Sequence, residues 1–542
     1  MRRRPQPIPA RDADVGKALR ALDTDELRAF ISEMLERLDS EARGPIEDAL
    51  LRRAVARGGH RPAAPSPDVV DEVIEFAKAA RRVGYAEPME VDEYLRRGVT
   101  ASLAGEHVTA RRILEALLLP IAEAEIDLGQ HEMVEEMLSV DLYDCVGRYL
   151  LAVYLETPTK GRVDAILTAI DKVNGIGVLV EPVRAMEEAL GEALPERDAF
   201  LDAWIKRLES SSRGEGAWES GHDGWLRAAI EAREGAEGLA RLAHATKSPQ
   251  TVRAWCHAVA EAGDWKKAFL AYEEAVTLAG AGLWNGEFLD GVALAASKLG
   301  RKDATKRLEA AWLGAPSLVR LLRWLVAEDA NAAVIRKRAT AAMAATPTKS
   351  RRLLAFLHMI VGDLPSAASA LKSAPGLGWS NDEHPGHLLF PVFVWTLARG
   401  TPNGVSAAMV ELLKQTPRSL LESHLESMDP SAMLSTPTVL DVLERADVRS
   451  RVTPNDRATA VDAMRIAASN RTDGVTGEKR RRHYQHAATL VASCVEADPG
   501  SVAWLETLRT RTSRFPAYQE ALRAALRGRR GNLGMESFTY GE

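Results

Sequence analysis

Three glycines constrain this chain more than any other feature. Gly105, Gly263 and Gly362 each end an apolar run of helical spacing, and each is followed at once by an acid: Glu106, Asp264 and Asp363. Five positions after each glycine stands a small residue (Ala110, Ala268, Ala367), and nine positions after it a larger packing residue (Leu114, Tyr272, Leu371). Glycine adopts the left-handed conformation that closes a helix, and the acid suits the positive N-terminus of the next one. The alanine lets the two rods approach closely. A weaker copy runs from Leu299-Gly300 to Asp303-Ala304. Such junctions predict tight antiparallel helical hairpins, each too small to be stable alone.

The rest of the chain follows the same pattern. Leu27, Phe30, Ile31, Met34, Leu35 and Leu38 lie on one helical face, and Asp23 with Glu26 reads as a capping box before them. A second helix from Pro45 to Arg57 is expected to fold back on the first. The stretch from Gly58 to Pro67 then reads as a linker. Strand-like alternation is scarce: Ile176 to Val183 is the best case, and Pro182 demotes it. Further breaks are expected at Ser210 to Gly216 and at Asn470 to Gly477. The architecture this predicts is all-α, an irregular α-solenoid of stacked helical hairpins with a small N-terminal hairpin. Its expected divisions are a tail and hairpin over 1–57, a linker over 58–67 and a helical repeat region over 68–209. A hairpin core over 222–400 and a C-terminal helical region over 401–542 follow.

Charge and cysteine usage narrow the setting. The 542 residues carry Lys+Arg 70 against Asp+Glu 76, a formal net charge of −6, so the bulk field opposes phosphate polyanions. Hydrophobic residues at 46% and charged ones at 27% are the balance of a globular protein rather than a fibrous or disordered one. Cys145, Cys256 and Cys494 are too few and too scattered for a disulfide framework or a structural zinc site, which points to a reducing, cytoplasmic compartment. Met1 to Pro5 has the charge of a signal n-region, but Arg11 and Asp12 arrive with no apolar stretch between. Leu388 to Ala398 is the most lipid-like segment and is shorter than the ~20 residues of a spanning helix, so a buried helix is expected there.

The clearest hairpin, Ala254-Trp255-Cys256-His257 through Gly263-Asp264-Trp265 to Tyr272-Glu273-Glu274-Ala275, resembles a tetratricopeptide repeat. That resemblance implies TPR-like hairpins stacking into a solenoid, in scattered units of unequal spacing. Two further patches, Gly378-Trp379-Ser380-Asn381-Asp382-Glu383-His384-Pro385-Gly386-His387 to Pro391 and Arg481-Arg482-His483-Tyr484-Gln485-His486-Ala487-Ala488, are similar to helical regions of bacterial SWIM zinc-finger proteins. The Cys-and-His zinc motif that defines that group is absent from this sequence. The likeness implies, as possible partners, an AAA+ ATPase of the MoxR type and a von Willebrand A-domain protein.

Several residue groups are candidates for chemistry. Asp382, Glu383, His384 and His387 offer two imidazoles and two carboxylates in six residues, a set that could hold zinc or manganese. Pro385-Gly386 between the histidines favours a turn that caps the following helix instead. Trp218 to Asp223, with His222, echoes that segment. His131 and Glu135, beside Glu132 and Glu136, have i, i+4 spacing but lack the second histidine of a zincin, so a solvated helix face is expected. Gly474 to Lys479 lacks the Walker A spacing. Lys479, Arg480, Arg481 and Arg482 form the densest basic run, joined near the terminus by Arg527, Arg529 and Arg530, and His483, Tyr484 and His486 follow it. On a regular helix four consecutive cations would spread around the circumference, so a polar helix start or a site for an acidic partner is expected there. No Gly-x-Ser-x-Gly elbow is present, and the cysteines sit in apolar helical runs. No metal or cofactor is implied.

These features predict a non-catalytic scaffold or adaptor that binds a protein segment along a concave surface. Trp265, Tyr272, Trp379 and His384 are the expected contacts there. Two other readings stay open: a metal-dependent hydrolase using the His384/His387 region with His222, and a nucleic-acid-binding helical repeat using the basic run.

Overall fold

A computed structural model describes residues 9–527 apart from 67, 130–132, 179–180, 212–220, 281, 283, 348–349, 382, 399–403 and 417–429. Among the described residues there is no β-strand, only an isolated bridge between Tyr85 and Asp127. The fold is all-α and solenoid-like: most helices pack on their neighbours in the sequence. The chain divides into two compact units, Met1–Gly238 and Leu239–Glu542.

The hairpin junctions form as the glycine pattern demands. Gly105, Gly263 and Gly362 have φ of 90°, 72° and 92°, the left-handed region that favours glycine. Asp264 and Asp363 accept hydrogen bonds from the N–H groups of Lys267 and Ser366 and so cap the second helix of each pair. Glu106 occupies the same place but makes no side-chain cap. Ala110, Ala268 and Ala367, together with Leu114, Tyr272 and Leu371, are fully buried between the paired rods.

In the first unit, Pro88–Ala104 and His107–Ala122 make such a hairpin, and Leu142–Glu156 packs on the second of them. The helix Thr24–Arg37 carries the expected capping box, yet none of its residues is buried. The following helix runs Ser40–Ala56, not from Pro45, because Asp39 caps it through the Ala42 N–H. It packs on Pro88–Ala104, where Arg96 pairs with Asp48 at 3.0 Å. Within Ile176 to Val183, residues 179–180 lie outside the described set. Ile176 ends a short 3-10 turn and Pro182 opens the helix Pro182–Leu190, where its missing N–H costs nothing.

In the second unit, consecutive helices from Pro249–Glu261 to Leu364–Lys372 pack in sequence order. The long helix Pro454–Gly477 then returns against Leu364–Lys372, and Tyr484–Ala497 packs on it. The break expected at Asn470 to Gly477 is absent. Arg471, Thr472, Val475 and Thr476 are buried there, Thr472 shares a hydrogen bond with the Tyr518 hydroxyl at 2.9 Å, and the turn falls just beyond. Burial of that face outweighs the low helix propensity of Asn, Thr and Gly. Gly386–Leu397 is the wholly buried apolar helix expected at Leu388. No helix among the described residues is long and apolar enough to cross a membrane.

Candidate functional site

A concavity lies in the second unit, and a hairpin junction builds one wall of it. The helix Arg351–Val361 stops at Gly362, and Asp363 starts Leu364–Lys372. Besides capping, Asp363 meets His358 Nδ1 at 3.0 Å through its second oxygen. Hydrogen bonds from Ser366 and the nearby His358 ring hold its carboxyl below its ordinary range. The loop that follows, 373–385, folds over the mouth of this hairpin. Between them is a cleft of about 980 Å³ lined by Arg351, Leu354, Ala355 and His358, by Ser366 and Ala370, and by loop residues including Ser373, Pro375, Asn381, Glu383 and His384. Its lining therefore mixes small apolar side chains with a few polar and charged ones, the usual make-up of a recognition site.

The loop owes its shape to Trp379 and His384. His384 is buried, its Nδ1 accepts the Gly386 N–H at 3.1 Å, and its Nε2 lies 3.1 Å from the Pro375 carbonyl. The first contact leaves the proton on Nε2, which therefore donates to Pro375. Both nitrogens are occupied, and the ring pins the two ends of the loop together. Burial lowers the pKa of His384, so the ring stays neutral. Asn381 completes the turn by accepting the Glu383 N–H at 2.9 Å. Asp382 lies outside the described residues. Gly386 is where it is because a Cβ there would stand 2.4 Å from the Trp379 ring.

Behind the loop, Trp379 is the hub of an imidazole cluster. Its ring centroid lies 4.3 Å from His384, 5.5 Å from His387 and 4.8 Å from His486. The two sequence patches from 378 and from 481 thus meet, although about a hundred residues separate them. Arg471, 4% exposed, donates from Nε to His486 Nδ1 at 3.2 Å and from a terminal nitrogen to the Gly376 carbonyl at 3.3 Å. No carboxylate lies within ion-pair distance of it among the described residues. Burial pushes its pKa down to about 10, helped by Arg480. Burial also takes His387 down to about 4, with His384, Arg352 and Arg471 adding to the effect. Burial likewise lowers His486 well below its ordinary value. His387 Nδ1 and two nitrogens of Arg352 are buried without hydrogen-bond partners among the described residues. The surroundings of Trp379 are thus rich in unneutralised positive and protonatable groups.

The other sequence candidates fall elsewhere. Trp265 is half-buried at the start of Trp265–Leu278, with Lys298 Nζ 5.8 Å above its ring. Tyr272 is buried in the same helix against Gly291, where a Cβ would strike its ring. His222 opens the helix Gly221–Thr246 with its ring 5.0 Å from Trp225, while residues 218–220 lie outside the described set. His131 and Glu132 lie outside it too, and Glu135 stands exposed on the short helix Val134–Met137. Among the described residues no three His, Cys, Asp or Glu side chains converge as a metal site would require. All three cysteines are buried free thiols whose pKa burial raises.

No family model, curated protein or solved structure matches the chain. The residues themselves must carry the functional reading. Sequence reasoning singled out Trp379, His384 and His387 but missed Arg351, Arg352, His358 and Arg471. Only the unbroken pattern of buried positions from Ala460 to Thr476 could have marked Arg471 as an interior cation.

Proposed function

We propose that the chain is a non-catalytic protein-interaction scaffold or adaptor, and that the cleft over 351–385 receives an extended segment of its partner. The observation that carries this is the cleft itself: a loop locked by His384 holds a recess open beside a helical hairpin. A recess preorganised in this way spares a ligand the cost of ordering it. His384 serves there as a structural staple rather than as a general base, since both its nitrogens are taken up by the main chain. The solenoid-like succession of hairpins is read as TPR-like, and such stacks present extended surfaces to partner segments.

A narrower proposal concerns the partner. The likeness of the patches from 378 and from 481 to SWIM-protein helices implies an accessory role beside an AAA+ ATPase and a von Willebrand A-domain protein, in bacterial defence or stress response. That Trp379 and His486 pack at 4.8 Å supports treating the two patches as one unit. A cytoplasmic setting belongs to the same reading, and three free, buried cysteines support it.

The test is affinity capture from the native host with wild-type chain and with Ser373→Arg, which plugs the cleft from an exposed position. A partner held by wild type and lost with the plug is expected, and an ATPase or A-domain protein among such partners is expected by the narrower proposal. Partners that are retained equally by both chains would overturn the cleft assignment.

A further inference from the structure

The basic run lies on a turn rather than on a regular helix. The helix Pro454–Gly477 ends, Lys479 takes a positive φ of 52°, and a single 3-10 turn, Arg481–His483, leads into Tyr484–Ala497. The circumferential spreading expected on a helix therefore does not occur, and four consecutive cations share one reversal of the chain. Lys479, Arg480, Arg481 and Arg482 are all exposed. None of them has a carboxylate within ion-pair distance among the described residues, although Glu478 precedes them. Other cations of the second unit are matched: Arg511 with Asp473 at 3.2 Å, Arg465 with Asp498 at 2.6 Å, and Lys372 with Asp462 at 2.5 Å. No acid stands in the first turn of the following helix, and no side chain caps it, so its positive end adds to the same field.

We propose that the turn Lys479–Arg482 docks a short acidic peptide segment of a partner protein. This rests on the scaffold reading and adds a second, charge-selective contact to it. The occupant follows from what flanks the turn. Tyr484 packs edge-on against Tyr518 at 5.7 Å, and His486 is buried under Trp379, so neither of these two rings is free to stack on bases. The positive patch is one turn long, with Glu478 directly before it and Asp473 in the last turns of Pro454–Gly477. A long polyanion would run off it onto the surface of a chain whose net charge is −6. A few consecutive carboxylates match its length and sign.

The turn is also coupled to the interior. Arg480 acts on buried Arg471, and Arg480, Arg482 and Arg471 all act on His483, whose Nε2 accepts from Arg482 Nε at 3.1 Å. Bound carboxylates would relieve this crowding of like charge and stabilise the second unit as they bind.

The experiment is fluorescence anisotropy on the full chain with a labelled octaglutamate peptide, and with a single-stranded oligonucleotide of equal charge. Saturable peptide binding is expected, weakening steeply with salt. It should fall by about tenfold or more in Arg480→Gln/Arg481→Gln/Arg482→Gln and be unchanged in Ser373→Arg. All four altered positions are exposed, and circular dichroism checks that each variant folds. No saturable binding, equal binding by the triple variant, or tighter binding of the oligonucleotide would each overturn the proposal. Peptide binding that survives the cleft plug while partner capture does not would separate this site from the cleft.

Discussion

Arg148 in the first unit and Arg471 in the second are both almost wholly buried, and the chain treats them in opposite ways. Arg148 meets Asp144 at 3.0 Å and is further held by the Ser102 hydroxyl and the Ala189 carbonyl. Arg52 joins the same carboxylate at 3.3 Å. Arg471 has an imidazole and one carbonyl, and its charged neighbours are cations. A buried charge costs several kcal/mol unless it is matched, so the first arrangement fastens helices together. The second leaves a polarised region beside an open cleft and an exposed basic turn. Arg148 is thus matched within the fold, whereas Arg471 has no carboxylate beside it among the described residues.

The largest effect should come from unmatching the first arginine. Asp144→Ala strands Arg148 in the core of Leu142–Glu156 and should cost about 3–5 kcal/mol in urea unfolding. An effect under about 1 kcal/mol would break the contrast between the two units. Next is acid. His387 is neutral when folded, at about 4 against an ordinary 6.5, so above pH 6.5 it leaves stability independent of pH. As pH falls from 6.5 to 4 the unfolded chain takes up the proton first, and the second unit should lose about 3 kcal/mol. His384 and His486 are shifted the same way and deepen the loss. Hydrogen exchange followed from pH 7 to 4.5 should show opening of residues 351–397 and 454–497, and His387→Asn should flatten the slope. A third test is Gly386→Ala, whose Cβ would overlap the Trp379 ring, with an expected cost of about 1–3 kcal/mol. The smallest effect belongs to Arg471→Met. Losing the bond to the Gly376 carbonyl is offset by removing an unmatched buried charge, so a change of about 1 kcal/mol or less is expected. A loss as large as that of Asp144→Ala would show that Arg471 is a fastener after all.

The fold was legible because its rules are local. Gly105, Gly263 and Gly362 each stand within nine residues of the acid, alanine and packing residue that complete the junction, and all three junctions form. The same local logic located the capping box at Asp23 and the buried helix after Gly386. It failed at Asn470 to Gly477, where weak helix formers are held in a helix by contacts with Tyr518 and with the loop at Gly376. Those contacts join residues tens of positions apart, and no periodicity records them. The cleft was hidden for the same reason. Trp379 and His384 stood out as residues, but their meeting with Arg471 and His486 depends on Pro454–Gly477 returning across Leu364–Lys372. The basic run was visible as composition, while its concentration on one turn depended on the φ of Lys479.

The central claim, that the second unit binds its partner through the cleft, is tested most directly by hydrogen exchange of the full chain with and without the captured partner. Slowed exchange over 351–361, 364–372 and the loop 373–385, lost in Ser373→Arg, is the result predicted. Protection confined to residues 1–238, with 351–385 exchanging as in the free chain, would contradict it.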